Sequence, residues 1–255
     1  MAGLVGTPGG NARCLVLGGT GFLGREVCRR LLALGARVAF TLHAGRAAAE
    51  GLCANEDPSA LHAVEADLSV PASVAAAVDA AAAKLGGLDA LVHCAAVGGT
   101  GDRCDPAPHA RLEEIDAPAW DALMNVNLRS AFLATRRAAP LMREGGNIVF
   151  VGSMDGVLPV PSPVHYATSK AALGGLARSL AKELGAAGIR VNVVSPGVLA
   201  GGLSRTLSPR LREDYLAHCA LARCAAPDEI ASVVAFFAVS NSYVTGQTIS
   251  VNGGL

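Results

Sequence analysis

Tyr166 and Lys170 stand four positions apart in Tyr166-Ala167-Thr168-Ser169-Lys170, and Ser153 precedes the tyrosine by thirteen. On a helix, a four-residue step places two side chains one turn apart on one face, so a phenol and an ammonium point to the same place. A phenol, with a pKa near ~10, is a poor proton donor or acceptor at neutral pH, and an ammonium beside it draws that pKa toward the working range. A serine hydroxyl reaching the same spot can hydrogen-bond a carbonyl oxygen and hold it against the phenol. The chemistry these three residues suit is proton transfer at a carbonyl oxygen. Taken alone, Tyr-x-x-x-Lys is more often an amphipathic pair with a solvated lysine. Its place after a strand-end serine, in a chain with a glycine-rich first turn, favours chemistry.

The elements around these residues follow from pattern. Asn147 to Val151 is a short apolar, β-branched and aromatic run that ends at Gly152-Ser153, so the serine is expected at the C-terminal end of a buried strand, where ligands sit in open parallel sheets. Ser162-Pro163 predicts a helix start, and Leu173, Leu176, Leu180 and Leu184 continue the helix at three- and four-residue steps. Near the other end of the chain, Arg13 to Leu17 predicts a strand that runs into Gly18-Gly19-Thr20-Gly21-Phe22-Leu23-Gly24 and then a helix through Val27, Leu31 and Leu34. Strand, glycine turn and helix together let backbone approach a pyrophosphate and aim a helix N-terminus at it. A glycine turn alone is weak evidence, since glycine serves any tight connection.

The next strand strengthens it. Arg37 to Leu42 lies about twenty residues on, where a dinucleotide fold meets the adenosine ribose. An NAD site usually places Asp or Glu there, whereas this chain has Thr41, Leu42 and His43, with Arg46 close behind and Arg25 just after the glycine turn. No acid repels a 2′-phosphate and two guanidiniums are near to meet it, which favours NADP(H) over NAD(H).

Strand and helix keep alternating. Leu61 to Ala66, Leu88 to Cys94 and Gly188 to Val194 are expected as strands, and Val74 to Leu85, a stretch beginning at Asp116-Ala117-Pro118, and Asp228 to Val239 as helices. Gly98 to His109 is expected as a loop and Met1 to Asn11 as a loose tail. The alternation predicts an α/β fold with one doubly wound parallel sheet over residues 13–255, behind a flexible tail at 1–12. Asn127 lies within the expected helix after Asp116, where an Asn is mildly unfavourable and invites a reason.

At 51% hydrophobic and 255 residues, the chain suffices for one sizeable core. Lys plus Arg equals Asp plus Glu at 21 each, which leaves no global field for nucleic acid or an anionic membrane and points to a small-molecule partner. No apolar run is long enough to span a bilayer, and Met1 to Arg13 lacks the basic start and apolar core of a secretory signal, so a cytoplasmic location is expected. The seven cysteines contain no Cys-x-x-Cys pair and read as reduced structural thiols, and the six histidines have no ligand spacing, so no metal site is expected.

Taken together, these landmarks resemble the short-chain dehydrogenase/reductase family from Arg13 to Leu255. Ser153, Tyr166 and Lys170 match its spacing, Asn127 occupies its Val-Asn-Leu position, and Val191 to Gly197 and Val244 to Gly254 are similar to its later signatures. The resemblance implies a Rossmann-fold, NAD(P)-dependent oxidoreductase that interconverts a ketone and a secondary alcohol, commonly a homotetramer or dimer, with a catalytic set of Asn127, Ser153, Tyr166 and Lys170. It further implies that Ser153 holds the substrate oxygen, Tyr166 donates the proton, Lys170 binds the nicotinamide ribose, and Asn127 orders a water that relays protons to Lys170. Cofactor contacts are implied at Gly18, Thr20, Gly21, Phe22, Leu23 and Gly24 in the first turn, at Arg46, at Asp67 and Leu68 beside the adenine, at Ala95, and at Pro196, Gly197 and Val198.

Three stretches depart from the family pattern. The turn reads Gly18-x-x-Gly21-x-x-Gly24, similar to the branch that includes sugar-nucleotide epimerases, with Phe22 where reductases of this length usually have glycine. His93-Cys94-Ala95-Ala96 replaces Asn-Asn-Ala-Gly, and Val198 to Gly202 lacks the usual threonine. These departures keep two other readings in view, a catalytically silent binding or scaffold protein of the same fold and an epimerase. The intact Asn127, Ser153, Tyr166 and Lys170 weigh against the first. Against the second, that branch adds a substrate-binding segment, and this sequence runs to Leu255.

Residues 198–221 are similar to the family's substrate lid, and Leu203, Leu207, Leu211, Tyr215 and Leu216 there suggest a fatty or cyclic ketone unless they simply pack into the core. Similarity is greatest to 3-oxoacyl carrier-protein reductases, which implies a 3-oxo substrate. Those enzymes tend to present basic residues to an acidic carrier protein. Here the corresponding places read Arg143-Glu144-Gly145-Gly146 and Ala186-Ala187-Gly188, a thin patch that supports a carrier partner only weakly.

Overall fold

A computed structural model of the protein describes residues 10–54, 56–98 and 111–255. Most of the expected tail, and residues 99–110 with most of the expected Gly98 to His109 loop, lie outside the described residues. Seven strands form one sheet: β1 Arg13–Leu17, β2 Arg37–Leu42, β3 Leu61–Glu65, β4 Leu88–His93, β5 Met142–Val151, β6 Arg190–Pro196 and β7 Thr248–Val251. Their spatial order is β3-β2-β1-β4-β5-β6-β7, and every neighbouring pair is parallel. This is the doubly wound, Rossmann-type sheet that the alternation predicts. The central strands read as continuous apolar runs because helices cover both faces; every residue of β1 is buried.

One face packs under the helices α1 Phe22–Ala33 and α8 Pro227–Ala235, where Val27, Cys28 and Leu31 meet Ile230, Ala231 and Val234. The other face packs under α3 Pro71–Leu85, α5 Ser130–Ala138 and α6 Val164–Leu184. Phe40 and Phe150 are the largest fully buried side chains, one in each of these layers, and burying such a ring stabilises the fold by roughly 1.5–3 kcal/mol. The six described cysteines are free thiols.

Several boundaries differ from expectation, each for a local reason. A short helix, α2 Arg46–Cys53, follows β2; eight residues with three alanines give little periodicity to detect. β6 begins at Arg190, because Gly188 takes a left-handed conformation (φ 69°) that ends the preceding helical turn. The helix opened by Asp116 runs as α4 Ala117–Met124, with the Asp116 carboxylate accepting from the Ala119 amide at 2.8 Å, then passes through a π-helical turn at Asn125–Arg129 into α5. The last helix likewise loosens into a π turn at Phe236–Ser240. In α6 the stripe facing the sheet is built of small and functional residues, Ser169, Lys170, Gly174, Ala177 and Ala181 beside Leu173, while Leu176, Leu180 and Leu184 are only partly buried at its margin. α7, Pro209–His218, lies within the segment compared with a lid.

The sheet order matters for function because it reverses direction between β1 and β4. The chain leaves the C-terminal ends of these two strands toward opposite faces, which opens a crevice there, the place where ligands bind in such sheets.

Candidate active site

The glycine turn closes tightly on the end of β2. The Gly18 amide donates to Thr41 Oγ1 at 2.8 Å and the Gly19 amide to the Thr41 carbonyl at 3.1 Å. A Cβ on Gly24 would run into the Gly18 carbonyl, so only glycine lets α1 start this close to the strand. Gly21 caps α1 without any side-chain bond to its first amides. Those amides, at the positive end of the helix, face the crevice and suit a pyrophosphate.

The crevice is a cleft of about 580 Å³. At one end it is lined by Gly18, Thr20, Gly21, Phe22, Leu23 and Gly24, and along its wall by Asp67, Leu68 and Ala95. Its far end is formed by Ser153, Tyr166 and Lys170 on one side and Pro196, Gly197 and Val198 on the other. Of the residues singled out for the cofactor, Arg46 stands outside this lining. Its guanidinium pairs with Glu65 at the end of β3, both side chains being exposed. Arg25 lies outside the lining too, its Nε buried without a hydrogen-bond partner.

Ser153 follows β5 and Gly152, as its sequence setting predicts, and α6 carries Tyr166 and Lys170 across from it. Lys170 is 4% exposed; its Nζ donates to the Val151 carbonyl at 2.9 Å and lies 5.8 Å from the centre of the Tyr166 ring. Burial pulls its pKa down to about 8, against the opposing pull of Cys94 and Asp155. The Tyr166 phenol is pushed up well above its ordinary value, chiefly by burial and then by the Asp155 charge, while a hydrogen bond with Ser153 opposes the rise. The sequence leads one to expect a phenol drawn down by its lysine. In this geometry the phenol is instead held protonated, because desolvation and the neighbouring Asp155 carboxylate outweigh what would lower its pKa.

The turn Met154–Gly156 brings Ser153 against α6. A Cβ on Gly156 would sit 2.6 Å from the Ala171 amide nitrogen, so glycine is what allows this contact next to Lys170. Ser153 Oγ donates to the Asp155 carboxylate, an interaction that sequence inspection missed although a carboxylate two residues after the serine is its signal.

Asn127 is fully buried on the π turn. Its Oδ1 accepts from the Val97 amide at 2.8 Å, and its Nδ2 donates to the Val97 carbonyl at 3.0 Å and to Ser169 Oγ at 3.1 Å. Ser169 in turn donates to the Tyr166 carbonyl at 2.8 Å. Asn127 thus ties the segment after β4 to the helix that carries the phenol, which is a reason for an asparagine inside a helix. His93 is buried as well. Its Nε2 lies 2.6 Å from Ser130 Oγ, and Ser130 donates to the Val126 carbonyl at 2.6 Å, so His93 is the donor. Burial and the Lys170 charge hold its pKa at about 3, which keeps the ring neutral.

The segment after β6 closes the cleft with Leu203 and Leu207, whereas Tyr215 is the buried residue of α7 and donates to the Asn252 carbonyl at 2.9 Å. Leu207 and Leu216 pack with Val198, Tyr215 and Cys219 in a small separate core. The apolar face of this segment is thereby divided between cleft and core. Phe22, in place of a glycine, lays its ring against the backbone of Gly201 and Gly202; a Cβ on Gly201 would meet it at 2.5 Å. Among the described residues no group of three or more His, Cys, Asp or Glu is placed to hold a metal, and no helix is long and apolar enough to cross a membrane.

A doubly wound sheet whose crevice runs from an uncapped helix start to a serine, a tyrosine and a buried lysine defines a nucleotide-dependent oxidoreductase fold. A dinucleotide fits it, since the close-set glycines leave backbone room for phosphates at one end and the hydroxyl groups lie at the other. The family model described as enoyl-(acyl carrier protein) reductase matches residues 21–255. The 3-oxoacyl-(acyl-carrier-protein) reductase FabG of Thermotoga maritima is 37% identical over 210 residues, 81% of this chain and 80% of the relative. The acetoacetyl-CoA reductase of Allochromatium vinosum is 32% identical, covering 94% and 97%. A solved blue fluorescent protein from a metagenomic library, in complex with NADPH, superposes with a TM-score of 0.86 at 33% identity, covering 96% and 98%. The chain belongs to the short-chain dehydrogenase/reductase family and is an NAD(P)-dependent oxidoreductase.

Proposed function

We propose that the protein is a cytoplasmic, homo-oligomeric carbonyl reductase that uses NADPH to reduce a 3-oxo compound, free or as a thioester, to the secondary alcohol. The observation that carries this reading is the convergence of Ser153, Tyr166 and Lys170 at the closed end of the cleft. When bound, the nicotinamide supplies the hydride. Gly18 to Gly24 and the start of α1 hold the pyrophosphate, Asp67 and Leu68 border the adenine, Pro196 to Val198 border the nicotinamide, and Lys170 takes the ribose hydroxyls. Ser153 Oγ holds the ketone oxygen, and the phenolic proton of Tyr166 moves to that oxygen as charge develops on it. A phenol kept protonated by burial suits the reductive direction. Asn127 orders the water that returns a proton through Lys170 by way of a remaining lone pair on Oδ1, its other contacts being committed to Val97 and Ser169.

Support for a 3-oxo substrate comes from the names of the two reductases above, and neither the scaffold nor the epimerase reading is favoured by them. Exposed Phe132, Phe236 and Tyr243 supply apolar surface for assembly into a dimer or tetramer. The buried free thiols of Cys14 and Cys28 suit a reducing compartment.

For NADPH, the support is a β2 end without an acid, and Arg46 within reach of the same region once released from Glu65. Glu65→Ala removes that competitor, so NADPH is expected to bind about two- to fivefold more tightly, as befits an exposed ion pair, with NADH unaffected. Nicotinamide fluorescence titration checks this, and an unchanged NADPH affinity removes Arg46 from the site.

The reaction itself is tested by comparing a small 3-oxo thioester with the same acyl group on carrier protein, from low to moderate salt. Opposite charges steer docking strongly only at low ionic strength. Comparable rates that stay flat with salt are expected. A large advantage for the carrier-bound substrate that collapses as salt rises would restore a carrier-dependent role.

A further inference from the structure

Asp155 is a carboxylate that the proton transfer from Tyr166 does not use. It sits in the turn immediately after Ser153, half-buried, and lines the cleft beside Ser153 and Tyr166. The turn itself is closed by backbone, the Gly156 amide donating to the Ser153 carbonyl at 3.1 Å, whereas the Asp155 amide reaches Ser153 Oγ only at 3.4 Å. What the carboxylate does is accept the Ser153 hydroxyl proton.

A serine has one such proton. While it points at Asp155, Ser153 offers a ketone oxygen only lone pairs, which repel it. The hydroxyl can grip the ketone only if another donor takes its place on the carboxylate, since a buried or half-buried charge left without a donor is costly. Ser153 and Asp155 are neighbours, so the replacement donor and the ketone oxygen must be neighbours too.

We propose that Asp155 is a specificity-determining residue: it accepts a hydroxyl or protonated amine carried on the carbon next to the substrate ketone, and this frees the Ser153 hydroxyl to bond the ketone oxygen. The proposal rests on the reductase reading of the same site. The exchange moves hydrogen bonds only. The substrate donor bonds to Asp155, the Ser153 proton turns to the ketone oxygen, and the Tyr166 proton is delivered as before. Asp155 also adds to the desolvation that keeps Tyr166 protonated and opposes the burial that lowers the Lys170 pKa.

Ethyl acetoacetate and ethyl 4-hydroxyacetoacetate differ by one hydroxyl on the carbon beside the ketone, and both would be reduced with NADPH by wild type, Asp155→Asn and Asp155→Leu. Wild type is expected to favour the hydroxylated ester in kcat/KM by about tenfold or more, the worth of a hydrogen bond to a charged group. Asp155→Asn, which keeps the shape without the charge, is expected to cut that ratio severalfold, and Asp155→Leu to bring it near one. Reading a ratio cancels any loss of activity common to both substrates. Calorimetric titration of both esters into the Tyr166→Phe protein with NADPH should show the same preference without turnover. A wild-type ratio near one, or a ratio unchanged in Asp155→Leu, overturns the proposal and leaves the reductase reading standing. Failure of wild type to reduce either ester removes the reductase reading, and the selection by Asp155 falls with it.

Discussion

Tyr166→Phe is expected to lower kcat by about 10²- to 10⁴-fold, the range for loss of a positioned proton donor, while NADPH binds as it does to wild type. Desolvation holds this phenol protonated at the cleft's end, so deleting its oxygen removes the proton to be transferred and little else. The ring, its packing on α6 and the Ser169 bond to the Tyr166 carbonyl all remain. Cofactor titration and single-turnover measurement on the same sample separate the two effects. Wild-type turnover in the variant would show that another group supplies the proton and would undo the assignment of Ser153 and Lys170 with it.

Lys170→Met is the second large effect, and its diagnostic is stability rather than rate. The ammonium is 4% exposed and burial lowers its pKa from the ordinary lysine range to about 8, which corresponds to a cost of about 3 kcal/mol for holding the charge in the fold. Below pH 8 the lysine is protonated in both folded and unfolded chains, and wild type bears this cost in full. Between pH 8 and 10.5 the unfolded chain binds the extra proton, so wild-type stability rises with pH relative to the variant; above that the cost is gone. Losing the Nζ bond to the Val151 carbonyl offsets part of the variant's gain at every pH. The stability of Lys170→Met minus that of wild type, from denaturant melts at pH 7 and pH 10, should therefore fall by about 2–3 kcal/mol. A difference that stays constant over this range would show that the fold does not lower the lysine's pKa. Turnover in the same variant is expected to fall because the ribose hydroxyls and the proton return lose their partner.

Much of this was legible from residues because the relevant spacings are short or fall at strand ends. The glycine turn declares itself between an apolar strand and an apolar helix, and Tyr166 and Lys170 share a face by helix geometry alone. Ser153 was placed by the buried run that precedes it. Contacts between distant segments were not legible. Nothing in the chain tells that Asn127 clamps Val97, that Thr41 anchors Gly18, or that His93 is paired with Ser130, since each joins residues at least 23 positions apart. The protonation states escaped for the same reason. A tyrosine beside a lysine suggests a lowered pKa, and desolvation of the phenol together with Asp155 reverses it. Arg46 shows the opposite failing, a charge near the right place whose partner, Glu65, comes from the neighbouring strand.

The ring of Phe22 resting on Gly201 and Gly202 makes the two walls of the cleft one mutational unit. A glycine at position 22 would leave the loop after β6 without its support, and a threonine at 201 would have to displace the ring, so either change alone is penalised and the pair together is tolerated. Laboratory evolution of this enzyme toward a new ketone, which would naturally randomise the loop, will therefore draw compensating changes from the dinucleotide turn, and libraries confined to the loop will sample mostly dead ends at positions 201 and 202.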